Sequence, residues 1–112
     1  MTQRKLPAFW VVIPAAGVGS RMRADRPKQY LQLGGRSIIE HTLDCFLDHP
    51  TLAGVTVCIA PNDPYWPNLP CASDPRIQRA PGGRERCDSV LNGLRRLGEL
   101  GANEQDWVLV HD

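Results

Sequence analysis

Residues 14 to 30 read PAAGVGSRMRADRPKQY, poor in bulky side chains at first and then densely basic. Arg21, Arg23, Arg26 and Lys28 stand there beside one acid, Asp25, in a chain of 112 residues whose formal net charge is only +1. Successive backbone N–H groups in a glycine-rich loop, here carrying Gly17 and Gly19, form a concave anion site. Arg21 lies just beyond the glycines, able to swing over whatever they hold. Lys28 follows Pro27, which restrains the backbone before it. Cations converging on one loop repel one another unless a polyanion sits among them. A nucleoside triphosphate is such a polyanion. Arg23 and Arg26 read as solvated surface charges, and the glycines alone would specify only a tight strand-to-helix turn.

Two better-known phosphate loops do not fit. A dinucleotide fingerprint needs glycine or alanine at its third position, where the helix crosses close to the strand, and Met22 stands there. The second strand also ends on Ala60 and Pro61 with no acid for a ribose. A P-loop needs a lysine and Ser/Thr pair directly after the glycines, and no such pair follows.

A second glycine cluster lies in PGGRERCDSV, residues 81 to 90. On the residues alone, Gly82 and Gly83 form a turn after Pro81, and Ser89 is equally a first-turn hydroxyl of a helix. No histidine falls in either loop to act as a base. His41 and His49 read as surface or helix-end residues, and His111 as a neighbour of the carboxyl-end cluster.

The elements that must position these groups alternate between strand and helix. Phe9 to Pro14 is a continuous apolar run suited to a strand covered on both faces. A helix is predicted from Ser37, which has capping-box spacing to Glu40 and an apolar stripe of Ile39, Leu43, Phe46 and Leu47. Val55 to Ala60 is a second strand. Prolines at 61, 64, 67, 70 and 75 then exclude internal strand and long helix. A short strand follows around Arg76 to Arg79. The next helix is predicted over Arg86 to Leu97, with Val90, Leu91, Leu94 and Leu97 on its apolar face and Gly98 as its stop. WVLV at 107 to 110 is a third apolar strand, ahead of His111 and Asp112. Such alternation gives an α/β fold with a mostly parallel sheet. Ligands then bind beyond the carboxyl ends of the strands, where Pro14, Gly82 and Asp112 fall.

Composition narrows the function classes. With 42% hydrophobic and 22% charged residues, the chain is that of a soluble globular domain, or part of one. No apolar stretch approaches the roughly 20 residues of a membrane span. The short apolar run behind MTQRKLPA leads straight into the glycine loop and does not read as a secretory signal. The near-neutral charge and the absence of a spaced aromatic platform argue against a nucleic-acid partner. Cysteines 45, 58, 71 and 87 make no C-x-x-C pair and no zinc spacing. They read as reduced thiols of a cytoplasmic protein, Cys45 and Cys58 as small core residues. Trp10, Trp66 and Trp107 read as packing residues.

Together, PAAGVGSRM, PKQY, GGRERCDSV and VLVHD resemble the 2-C-methyl-D-erythritol 4-phosphate cytidylyltransferases of the non-mevalonate isoprenoid pathway. The resemblance runs along the whole chain but covers only the N-terminal portion of that family's longer chains. It implies an α/β, Rossmann-like, mostly parallel sheet with flanking helices, of the nucleotide-diphospho-sugar transferase type and apparently truncated. Residues 1–112 would be a single nucleotide-binding domain, the N-terminal part of a longer catalytic domain. Strand 107–110, central in the full sheet, would then be an exposed apolar edge prone to association.

The implied reaction joins CTP to 2-C-methyl-D-erythritol 4-phosphate, releases pyrophosphate and uses Mg²⁺, in a cytoplasmic enzyme whose full-length form is a homodimer. Arg21 and Lys28 match the family's two basic residues that stabilise the pentavalent transition state. Pro14, Ala15, Ala16, Gly17 and Gly19 match its nucleotide-binding loop, and Gly82, Gly83, Arg86 and Ser89 its second nucleotide segment. Asp112 matches the residue that meets Mg²⁺ and ribose. Arg84 departs from the family pattern, in which an acidic residue often follows the glycines. The alternatives are a related cytidylyltransferase acting on another polyol phosphate, such as ribitol 5-phosphate, and a nucleotide-binding fragment without activity.

Overall fold

The computed structural model describes residues 8–16 and 28–111. The expectations attached to Gly17, Gly19, Arg21, Arg23, Arg26 and Asp112, and to the side chain of Lys28, lie outside the described residues. In chain order the elements are β1 (Phe9–Pro14), β2 (Gln32–Leu33), β3 (Arg36–Ser37), α1 (Ile38–Leu47), β4 (Leu52–Ile59), β5 (Ile77–Pro81), α2 (Arg86–Glu99) and β6 (Trp107–Val110). The main sheet has the order β5-β4-β1-β6, and every pairing in it is parallel. The α/β expectation, with a parallel sheet and flanking helices, holds.

A parallel strand in mid-sheet must be apolar on both faces, and β1 shows why FWVVIP is unbroken. Val11 and Ile13 join Ile39 and Leu43 of α1, together with Tyr30 and Trp66, in one buried cluster. Trp10 and Val12 face the other way, toward Leu97 of α2, with Cys58 and Ala80. β4 alternates in register with β1, sending Val55, Val57 and Ile59 to the first layer and Cys58 to the second.

The helix starts follow local chemistry. Ser37 caps α1: its hydroxyl accepts from the Glu40 N–H while the Glu40 carboxylate accepts from the Ser37 N–H, the reciprocal pair expected from the spacing. The end of α2 differs from expectation. The helix runs through Gly98 to Glu99 and stops at Gly101, whose φ of 103° is the left-handed value. The Ala102 N–H bonds the Leu97 carbonyl at 3.0 Å and the Gly101 N–H bonds Gly98 at 3.2 Å, a Schellman closure. Two glycines were available as stops, and only the second meets that geometry.

The buried face of α2 also differs. It comprises Ser89, Gly93 and Leu97, while Leu91 and Leu94 are 46% and 41% exposed. The helix lies too close to the sheet for a large residue at 93. A Cβ there would sit 2.6 Å from Val12 Cγ1 and 2.8 Å from Cys58 Sγ. The buried Thr56 hydroxyl donates to the Gly93 carbonyl at 3.3 Å. Gly93→Ala is therefore expected to destabilise the fold. Alanine gains about 0.5–1 kcal/mol of helix propensity over glycine, but overpacking costs about 1–3 kcal/mol. Overpacking wins, and the urea midpoint falls.

Four further expectations need correction. Strand β4 starts at Leu52 rather than Val55, because Gly54 interrupts the apolar pattern only to make room for the Trp10 indole, 2.9 Å from where its Cβ would lie. The short strand expected around Arg76 to Arg79 is shifted to Ile77–Pro81. A two-strand hairpin of β2 and β3, turning on Gly34 and Gly35 at φ 64° and 84°, lies ahead of α1 in a stretch to which the sequence reading assigns no element. Cys45 is exposed on α1, not in the core. Cys58 is buried, and that burial pushes its thiol pKa up to about 11. All four cysteines are free. β6 is an edge, as expected of this chain; Trp107 on it is 66% exposed rather than packed.

Candidate functional site

Parallel β1 and β4 end together, and the chain leaving β1 stays tied to that edge. The Ala15 N–H donates to the Cys58 carbonyl at 2.8 Å, continuing the ladder one residue past Pro14. On the far side of β4, the Gly82 N–H donates to the Ile59 carbonyl at 2.8 Å, doing the same beyond β5. The two extensions meet. A Cβ on Gly82 would lie 2.1 Å from the Ala16 Cβ, so the absence of a side chain at 82 allows these loops to touch. Segments separated by more than sixty residues thus form one surface of small residues at the carboxyl edge of the sheet.

Gly83 makes a second close approach. Its Cβ would stand 2.1 Å from the Asp88 Cβ, and its N–H donates to Ser89 Oγ at 2.9 Å. Ser89 is buried, and its hydroxyl oxygen fastens the glycine pair to the first turn of α2. A reciprocal capping box between Glu85 and Asp88 starts that helix. Asn92 adds a bond from Nδ2 to the Pro81 carbonyl at 2.9 Å. Arg86 occupies the first helical position and is exposed. The positive end of the α2 dipole therefore opens beside the glycine loop.

Of the residues singled out in the sequence, Pro14, Ala15, Ala16 and Gly82 are brought together, with Gly83 and Ser89 joined behind them. Lys28 begins a 3-10 turn, Lys28–Tyr30, next to this edge. Residues 17, 19, 21 and 112 lie outside the described residues. At β6, the His111 N–H donates to the Val12 carbonyl at 2.9 Å, bringing the chain's last described residue alongside β1.

Two neighbours were not identified from the sequence. The Gln29 side chain donates Nε2 to the Ala15 carbonyl at 2.6 Å. Arg79, on β5, lines a groove of about 260 Å³ with Ile59, Pro61, Ala80 and Pro81, and donates to the Ala60 and Pro61 carbonyls at 3.4 and 3.3 Å. Neither carries a local signal, since a lone Gln or strand Arg is ordinary until its partner is known. Among the described residues no group of three or more His, Cys, Asp or Glu gathers, and no helix is long and apolar enough to cross a membrane.

A model of the family described as "IspD: 2-C-methyl-D-erythritol 4-phosphate cytidylyltransferase" matches residues 9–112. The chain belongs to this family. A cytidylyltransferase of Ectopseudomonas mendocina is 75% identical over 104 residues, covering 93% of this chain and 44% of the relative. One of Pseudomonas aeruginosa is 70% identical over all 112 residues and 48% of its own length. Among solved structures, the Francisella tularensis cytidylyltransferase superposes with a TM-score of 0.71 at 36% identity, over 94% of this chain and 43% of that one. A 4-diphosphocytidyl-2C-methyl-D-erythritol synthase gives 0.77 at 32% identity, over 97% and 47%. The chain thus spans under half the length of the cytidylyltransferases it matches.

Proposed function

We propose that this chain forms the nucleotide-binding portion of a cytidylyltransferase that joins CTP to 2-C-methyl-D-erythritol 4-phosphate in isoprenoid precursor biosynthesis. The observation that carries the reading is the meeting of Ala16 with Gly82, which joins the two family motifs into one surface of small residues. Pro14, Ala15, Ala16, Gly17 and Gly19 are the nucleotide-binding loop, whose small residues let base and phosphates approach the backbone. Gly82 and Gly83 leave the edge of a cytosine open to backbone, with Ser89 holding Gly83 from behind and Arg86 exposed at the start of α2.

In the reaction, a phosphate oxygen of the methylerythritol phosphate attacks the α-phosphorus of CTP. The bond from that phosphorus to the α–β bridging oxygen breaks, and pyrophosphate leaves with the electron pair. The attacking monoester has a second pKa of about 6, so it is already largely ionised and needs no general base. What remains is positioning and stabilisation of the charge that builds at phosphorus. Arg21 and Lys28 supply that stabilisation.

Asp112 is the residue that would hold Mg²⁺. It directly follows His111, which is bonded to β1, and a carboxylate there suits a hard cation that takes one or two carboxylates and fills its shell with phosphate oxygens. Held by Asp112, Mg²⁺ would supply neutralisation of the phosphate charge. The complete enzyme reads as a cytoplasmic homodimer, with acceptor-selecting groups beyond position 112.

The test is pyrophosphate release from CTP with methylerythritol phosphate, or with ribitol 5-phosphate, by residues 1–112 and by a chain of full family length. The full-length chain is expected to prefer methylerythritol phosphate, and the shorter one to turn over poorly. No release by the longer chain sinks the proposed activity, and preference for ribitol 5-phosphate reassigns the acceptor. Robust release by residues 1–112 removes the need for acceptor groups further along.

A further inference from the structure

The 3-10 turn Lys28–Tyr30 has too few internal bonds to hold its own position, yet its last two residues are tied to different walls of the site. Gln29 reaches back to the Ala15 carbonyl at 2.6 Å, gripping the chain as it leaves β1. Tyr30 is only 2% exposed and donates its hydroxyl to Asp63 Oδ2 at 2.7 Å. Asp63 is itself immobilised, because its Oδ1 accepts from the N–H groups of Tyr65 at 2.8 Å and Trp66 at 3.1 Å. The Tyr30 and Tyr65 rings lie 5.0 Å apart. Burial, and then the bond to Asp63, hold the phenol well above its ordinary pKa, so it stays a donor. Residues 29 and 30 therefore clamp the backbone of their predecessor between the loop after β1 and the segment after β4.

We propose that Gln29 and Tyr30 are positioning residues, which use the Gln29–Ala15 and Tyr30–Asp63 bonds to fix where Lys28 enters the site. The inference rests on the reading of Lys28 as a transition-state stabiliser. A lysine is a point charge on a flexible four-carbon stem, so its usefulness at a reacting phosphorus depends on where its backbone is anchored. Small misplacement of such a group is costly, about a hundredfold in rate for 1 Å. One lost neutral hydrogen bond shifts the anchor only in part, and about a tenfold effect is expected from each.

The experiment is a double-mutant cycle in a chain of full family length. Gln29→Ala and Tyr30→Phe are each made alone and together with Lys28→Ala, with kcat, KM for CTP and thermal unfolding measured for all. Tyr30→Phe keeps the ring and its packing, so the fold survives if Gln29→Ala proves too disruptive. Each single variant is expected to lower kcat about tenfold with KM little changed. Neither should lower it further once Lys28 is gone. Equal losses in both backgrounds would show a merely structural role and overturn the proposal while leaving Lys28 its part. Unchanged kcat in both single variants overturns it too. Should Lys28→Ala itself leave kcat intact, the underlying reading fails and takes the proposal with it.

Discussion

Arg21→Ala and Lys28→Ala are each expected to lower kcat about a hundredfold or more in a chain of full family length, with KM for CTP changing far less. Loss of one preorganised donor to a developing charge costs about 3 kcal/mol of barrier, which is the origin of that factor. The asymmetry between kcat and KM follows from when the charge appears. Oxygens around the α-phosphorus gain charge only as the attacking and leaving groups share it, so the interaction is stronger in the transition state than in bound CTP. Steady-state kinetics with varied CTP separates the two effects. A large rise in KM at unchanged kcat would make both residues plain binding groups. Arg21→Lys is expected to recover little, because an ammonium cannot reproduce the planar fork of a guanidinium.

Gly82→Ala is the second large effect, and it comes from geometry alone. The added Cβ falls 2.1 Å from the Ala16 Cβ and 3.3 Å from the Ile59 carbonyl carbon. Carbon atoms rest roughly 3.5–4.0 Å apart, so the loop after β1 must retreat by more than about 1 Å. Overpacking of this kind costs about 1–3 kcal/mol of stability. A 1 Å displacement of a positioning loop costs about a hundredfold in rate. The expected outcome is a modest fall in melting temperature with a loss in kcat/KM for CTP of about two orders of magnitude. Ala16→Gly in the same chain removes the facing methyl and should restore much of the loss. If Gly82→Ala leaves both melting and kcat/KM untouched, or Ala16→Gly gives no rescue, the touching of the two loops is not what shapes the site.

Much of the architecture was legible because its signals are local. The run FWVVIP reports a strand covered on both faces, and β1 lies in mid-sheet. Ser37 and Glu40 report a helix start three residues apart, and both halves of the capping box form. The motif residues PAAGVG, PKQY and GGRERCDSV pointed to the family that the comparison identifies. Where local signals competed, reading failed. Gly98 and Gly101 are equivalent as letters, and only the way the chain leaves α2 selects the second. Leu91 and Leu94 looked like core, whereas a helix pressed against Val12 and Cys58 requires Gly93 on its inner face.

The sequence by itself determined the four strands of the main sheet and the two helices to within a few residues, through periodicity, caps and turn chemistry, while its motifs marked the two glycine clusters and the family resemblance. Only the tertiary structure decided that Ala16 meets Gly82, that Gln29 grips Ala15, and that Ser89 fastens Gly83. The first of these depends on β4 inserting between β1 and β5, which sets two distant loops side by side at one sheet edge. No residue's own propensity records its partner across such a fold. Contact between loops is a property of how the strands are ordered, and that order emerges from burying both faces of the sheet at once.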